Sequence, residues 1–197
     1  IRKMAIEAMR EEEGDATYEK KKFVTFNKRE LPMASRKLEY WLERMLEEVL
    51  KPEESESINK LLKYLESRGI GADWYDFMYS TNKSWDVDKR LLIPFYWPGY
   101  VFNMDAQDWS RKFVLVTEGP FDAITVSGVS ILGSEINDTQ RELIDGLGRQ
   151  VIVVPDRDAP GEKLINQATE FGWSVAFPEW DKDIGDVAEA VQKYGRL

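Results

Sequence analysis

The chain has 197 residues and a net charge of −9, with no cysteine and no histidine. That length admits one large domain or two small ones, each with a real core. Zero cysteines exclude disulfides and thiolate zinc sites and fit a reducing compartment; zero histidines exclude Ser-His-Asp and Cys-His catalysis and imidazole-held metals. Any catalytic site must therefore use carboxylates, Lys/Arg, Tyr or Ser/Thr, and carboxylates favour hard cations such as Mg²⁺ or Mn²⁺. The acidic balance counts against a broad basic DNA-binding surface, but only weakly, because bound cations reverse the local sign of an acidic cluster. No run of ~18 apolar residues predicts a transmembrane helix, and the charged N-terminus lacks the apolar core of a signal peptide. The first residue is Ile1, so the chain is expected to be a piece of something longer.

Residues 1–22 are mostly charged and read as a helix running into the lysine patch Lys20, Lys21 and Lys22, followed by a short strand "FVTF" from Phe23. From Ser35, "SRKLEYWLERMLEEVL" has Leu38, Trp41, Leu42, Met45, Leu46 and Val49 on one helical face, and Pro52 is expected to end that helix. "SESINKLLKYLESRGI" is a second amphipathic helix, stopped by Gly69 and Gly71. "ADWYDFMYS" reads as a short aromatic helix or turn, and "RLLIPFYW" as a strand. Trp41, Trp74, Tyr75 and Phe77 could stack bases, but their helical spacing favours core packing. The lysines at 20–22, with Lys28 and Arg29, could contact phosphate or form a solvated face.

The pattern changes at Arg111. Strands "KFVLVTEG", "VSILG", "QVIVVPDRD" and "WSVAFP" alternate with helices "PFDAITVSG", "NDTQRELIDGLG", "PGEKLINQATEFG" and "DIGDVAEAVQKYG". Four such alternations predict an α/β fold, a parallel sheet flanked by helices. The boundary is expected near 105–111, with a mainly helical N-terminal subdomain over 1–110 and an α/β domain over 111–197.

Functional sites of open parallel sheets sit at the carboxyl ends of strands. One strand ends in Glu118, with Asp122 a helical turn later; another ends in Asp156 and Asp158; a third is followed by Asp181, Asp183 and Asp186. Two residues apart in an extended segment, Asp156 and Asp158 would share a side. Gly119 and Gly161 would let the backbone turn tightly beside them. Clustered carboxylates repel, and a divalent cation is the simplest compensation. Each motif also has a simpler reading: "EG" as a turn, Asp-x-Asp as a helix cap plus a solvated acid, "DKDIGD" as an acidic first turn of a helix. Their order on alternating strands favours a site. Arg157, between the two aspartates, is expected to point away and pair with surface carboxylates.

"TEGPFDAI", "VPDRDAPG" and "KDIGD" together resemble the three acidic motifs of the TOPRIM domain, shared by topoisomerases, bacterial and phage primases and some nucleases. "LLKYLESRGI", the aromatic segment after it and "KRLLIPFY" resemble the segment preceding TOPRIM in bacterial-type primases, so the likeness covers residues from Ser57 to the C-terminus. The resemblance implies primer synthesis on single-stranded DNA by nucleotidyl transfer, with Glu118 as metal ligand or general base and Asp156 and Asp158 holding metals. Asp183 would complete the metal and triphosphate site, and Asp122 and Asp186 would be supporting acids. Two Mg²⁺ or Mn²⁺ ions, NTPs, a single-stranded DNA template and a replicative helicase are the implied cofactors and partners, in the cytoplasm of a bacterial or phage-infected cell and with no membrane. Lys20, Lys21, Lys22, Lys89, Arg90 and Lys182 are candidate template or NTP contacts. The alternatives are a metal-dependent TOPRIM nuclease and a non-catalytic nucleic-acid-binding scaffold. The family's zinc-binding template reader is absent from this cysteine-free chain. A basic segment typical of the family is expected between Trp97 and Pro98, and "PFYW" running directly into "PGYVFNMD" suggests the hypothesis that it is absent there.

Overall fold

The computed structural model describes residues 31–32, 34–80, 91–94, 101–104, 107–108 and 110–195. The charged N-terminal segment with its lysine patch, "FVTF", Lys28, Arg29, Lys89, Arg90 and the Trp97–Pro98 junction lie outside the described residues. No helix among the described residues is long and apolar enough to cross a membrane.

A four-stranded parallel sheet forms the centre of the C-terminal half. Its strands are β4 (Phe113–Thr117), β5 (Val129–Ser130), β6 (Gln150–Val153) and β7 (Ser174–Val175), in the order β5-β4-β6-β7. Between them run α3 (Pro120–Val126), α4 (Asp138–Asp145) and α5 (Ala159–Phe171), and α6 (Val187–Tyr194) follows β7. The predicted alternation is therefore present, with strands shorter than the apolar runs that flagged them. From β4 the chain first steps to β5 and later to β6 on the other side. Right-handed crossovers consequently put α3 on one face and α4 and α5 on the other. Ile144 of α4 and Leu164 and Ala168 of α5 are buried on Val114, Val116, Val151 and Val153.

The helix starts are chemically specified. Asn137 Oδ1 accepts from Gln140 N–H (2.9 Å) while Gln140 Oε1 accepts from Asn137 N–H (3.0 Å), a reciprocal cap for α4. Asp158 and Asp186 cap α5 and α6, and Gly119 with Pro120 opens α3.

Before the sheet lie α1 (Leu38–Leu46) and α2 (Pro52–Ser67), with three two-residue strands, β1 (Arg36–Lys37), β2 (Met78–Tyr79) and β3 (Leu91–Leu92), pairing antiparallel. Helix α1 ends earlier than its apolar spacing suggests. Leu46 is 82% exposed and Val49 52% exposed, and Glu48 takes a positive φ of 56°. Pro52 does not terminate α1; it occupies the first turn of α2, where its missing N–H costs nothing. Lys51 N–H donates to Glu54 there (3.0 Å). At its other end α2 closes in a Schellman turn: Gly69 N–H donates to Glu66 O (2.9 Å) and Ile70 N–H to Leu65 O (3.0 Å), with Gly69 at φ +65°. Trp41 and Phe77 are core residues, and Trp74 and Tyr75 pack against that core. Trp41 satisfies its indole N–H on Tyr79 O (3.1 Å). Ala123 and Ile124 of α3 belong to the same apolar cluster as Leu38, Ile58 and Leu65, so α1 and α2 are packed onto the α/β half. The described residues fall in one compact unit.

Leu164 is fully buried and Leu46 is not. Leu164→Ala is expected to cost about 3 kcal/mol, and Leu46→Ala less than about 0.5 kcal/mol, by urea unfolding.

Candidate active site at the ends of β4 and β6

The strand order reverses between β4 and β6, and ligands of open α/β sheets bind at such a switch point. Glu118 follows the last residue of β4, and Asp156 lies three residues past β6. They meet directly: Asp156 N–H donates to Glu118 Oε1 (3.3 Å). Ser130, at the end of β5, donates its hydroxyl to Glu118 O (2.6 Å), fixing the turn that carries the acid.

Asp122 sits on α3, 4% exposed. Its Oδ1 accepts from Ala188 N–H (2.9 Å) at the start of α6. Asp186, the residue before α6, caps that helix by accepting from Glu189 N–H (2.7 Å) and pairs with Arg68 (3.3 Å). Asp158 accepts from Gly161 N–H (2.8 Å) and so serves as the cap of α5, an exposed position, whereas Asp156 is half-buried. Asp156 Oδ1 is buried with no hydrogen-bond partner among the described residues.

The electrostatics follow from this grouping. Burial first, then the charges of Asp122, Glu118, Asp186 and Asp158, push Asp156 up to about 7. Burial and Asp186 push Asp122 up to about 6, opposed by the Ala188 N–H and the Arg68 guanidinium. Burial also raises Glu118 above its ordinary value, with Asp158 and Asp122 adding to it against the Asp156 N–H. Glu118, Asp122, Asp156, Asp158 and Asp186 thus share one field.

Asp183 does not join them. It is 73% exposed at its side chain and pairs with Lys193 (3.2 Å), which also holds Asp181 (2.8 Å). Asp186, three residues on, brings the third acidic motif into the cluster, because a helix cap points back over the helix start that Asp122 touches. Lys182 is exposed in the turn between Asp181 and Asp183. Arg157 differs from its expected role: it binds carbonyls, not carboxylates. Its guanidinium donates to the carbonyls of Pro178 (2.8 Å), Trp180 (3.1 Å) and Asp181 (3.0 Å) and stacks on the Trp180 ring. Its own N–H donates to Gly185 O (2.8 Å). Arg157 therefore fastens the loop after β7 to the loop after β6 and sets where Asp186 begins α6.

The sequence reading missed Arg68. "SRGI" announces a helix stop, and only the seating of the turn after α2 against α6 brings that arginine to Asp186. The glycine at 161 is a packing requirement: a Cβ there would lie 2.1 Å from Asp156 O. Helix α5 starts almost in contact with the Asp156 peptide.

Among the described residues no group of three or more acidic side chains is gathered on one point as a ready metal-ligand set. The donor chemistry fits a hard divalent cation, since every group is a carboxylate and Asp156 Oδ1 is buried and unpartnered. Asp156 and Glu118 are the residues best placed to hold one. No family model matches the chain, and no curated protein or solved structure matches it either.

Two outcomes are expected. Gly161→Ala is expected to cost roughly 3 kcal/mol, because the obstructing atom is backbone, and to disturb the site; urea unfolding measures it. The second concerns pH. The unfolded Asp156 titrates near ~3.9 and the folded one at about 7, so between these values the folded state holds a proton that the unfolded state has lost. Asp156 therefore stabilises the fold below pH ~4, and that contribution is lost as pH rises to about 7. In cation-free buffer at pH 8, Asp156→Asn is expected to raise Tm by roughly 2–4 °C over wild type, with a smaller difference at pH 5.

Proposed function

We propose that the chain is the catalytic core of a bacterial- or phage-type DNA primase, with a TOPRIM-type site that joins nucleotides into short RNA primers on single-stranded DNA. The observation that carries this reading is the contact between Glu118 and Asp156 across the β4–β6 switch point, with Asp122 and Asp186 in the same field. It unites acids from three motifs that are far apart in sequence and resemble the TOPRIM set in order and type.

Glu118 is the candidate general base for a primer 3′-hydroxyl. Burial raises its proton affinity, and one of its oxygens is oriented by the Asp156 N–H. Asp156, with Glu118 and Asp158, would hold Mg²⁺ or Mn²⁺. When bound, such ions lower the pKa of the attacking hydroxyl and stabilise charge on the leaving pyrophosphate. Asp122 fixes α6 through Ala188, and α6 in turn presents Asp186. Asp183 has no role at the reacting atoms in this reading, because Lys193 engages it away from the cluster. Such an activity belongs in the cytoplasm of a bacterial or phage-infected cell, with NTPs and single-stranded DNA as substrates and a replicative helicase as partner.

The test is a priming assay with labelled NTPs on single-stranded DNA in Mg²⁺ or Mn²⁺. Wild type is expected to make short RNA. Asp156→Ala/Asp158→Ala is expected to lose more than ~100-fold, beyond the roughly 10–100-fold typical of losing an outer-shell partner. Metal-dependent nicking of DNA without RNA synthesis would replace this reading with a nuclease. Retention of activity in the double variant would overturn the site. Separately, Mg²⁺ is expected to raise Tm of the wild type at pH 8 by favouring the folded state, and to raise that of Asp156→Asn much less.

A further inference from the structure

Arg68 is the C-cap of α2, outside the acidic motifs, yet its guanidinium reaches Asp186 at 3.3 Å with both side chains part-buried. It also lies over the Phe121 ring of α3 (5.8 Å), beside the helix that carries Asp122. Its Nε is buried with no hydrogen-bond partner among the described residues. A guanidinium kept for hydrogen bonding would fill its fork; one kept with a donor unfilled is held there by charge and packing. The turn that presents it is closely fitted. Gly69 follows at φ +65°, and a Cβ on it would meet Gln192 of α6 at 2.7 Å. The end of α2 is thus seated on the helix whose cap is Asp186.

We propose that Arg68 is a resident counter-cation and positioning residue for the acidic site, supplied by α2, which holds Asp186 in place and offsets the carboxylates' repulsion when no divalent ion is bound. The inference rests on the metal-binding reading above. Glu118 and Asp156 take the incoming ion, while Arg68 keeps Asp186 engaged and lowers the cluster's net negative charge. The cost is weaker ion binding: a positive charge beside the cluster repels the ion, so losing it tightens binding while loosening the fold.

The test is Mn²⁺ titration by calorimetry on wild type, Arg68→Gln and Arg68→Lys, with folding checked by circular dichroism. Arg68→Gln is expected to bind Mn²⁺ roughly three- to tenfold more tightly, and Arg68→Lys, which keeps the charge, to stay within about twofold of wild type. A salt bridge with only a structural role predicts equal or weaker Mn²⁺ binding in Arg68→Gln, and that result overturns the proposal. If Arg68→Gln does not fold, Arg68→Lys decides: affinity within about twofold of wild type supports the proposal, and a larger change overturns it. A thermal double-mutant cycle with Asp186→Asn in cation-free buffer keeps the two readings apart. If wild type binds no Mn²⁺, the metal reading fails. The counter-cation role then stands only if the Tm changes of Arg68→Gln, which removes the charge, and Asp186→Asn are non-additive, and additive changes overturn it.

Discussion

Mutual repulsion among Glu118, Asp122, Asp156, Asp158 and Asp186 is the constraint around which the end of the sheet is arranged. Four of these carboxylates are answered by backbone N–H groups: Glu118 by Asp156, Asp122 by Ala188, Asp158 by Gly161 and Asp186 by Glu189. Three of those donors belong to the first turns of α5 and α6, where N–H groups lack intrahelical partners and the helix dipole favours negative charge. Arg68 adds the one full positive charge paired with the cluster among the described residues. Asp156 Oδ1 is left without a partner among the described residues, and burial and the surrounding charges push Asp156 further up than Asp122. The acid with the least compensation in such a cluster is where a proton or a cation is most strongly taken up.

The sheet topology makes this arrangement possible. Parallel strands direct their carboxyl ends to one edge, and the step from β5 back across β4 to β6 puts Glu118 and Asp156 in contact at the ends of adjacent strands. The site is not confined to the α/β half. Helix α2 delivers Arg68, and its apolar face joins Ala123 and Ile124 of α3 in one cluster. Arg157 ties the loops after β6 and β7 together through three carbonyls, so the position of Asp186 depends on a residue lying between the two aspartates of the central motif. Packing in the N-terminal helices and loop geometry beyond β7 therefore both bear on the same few carboxylates.

The sequence by itself determined the four strand-helix alternations, because apolar runs and the helix-start residues Asn137 and Asp158 are local signals whose physics acts within a few residues. It also brought out Glu118, Asp122, Asp156 and Asp186 as candidates, since acids after apolar runs stand out without a fold. It misplaced the end of α1, because apolar spacing through Val49 says nothing of the turn at Glu48, and it took Pro52 as a stop where the chain uses it as a start. Only the tertiary structure decided between Asp183 and Asp186, turned Arg157 toward carbonyls and brought Arg68 to the acids. The contacts that gather Asp122, Asp186 and Arg68 span 66 and 118 residues of sequence, and the carbonyls that hold Arg157 lie 21 to 24 residues on, distances over which local spacing carries no information and packing carries all of it.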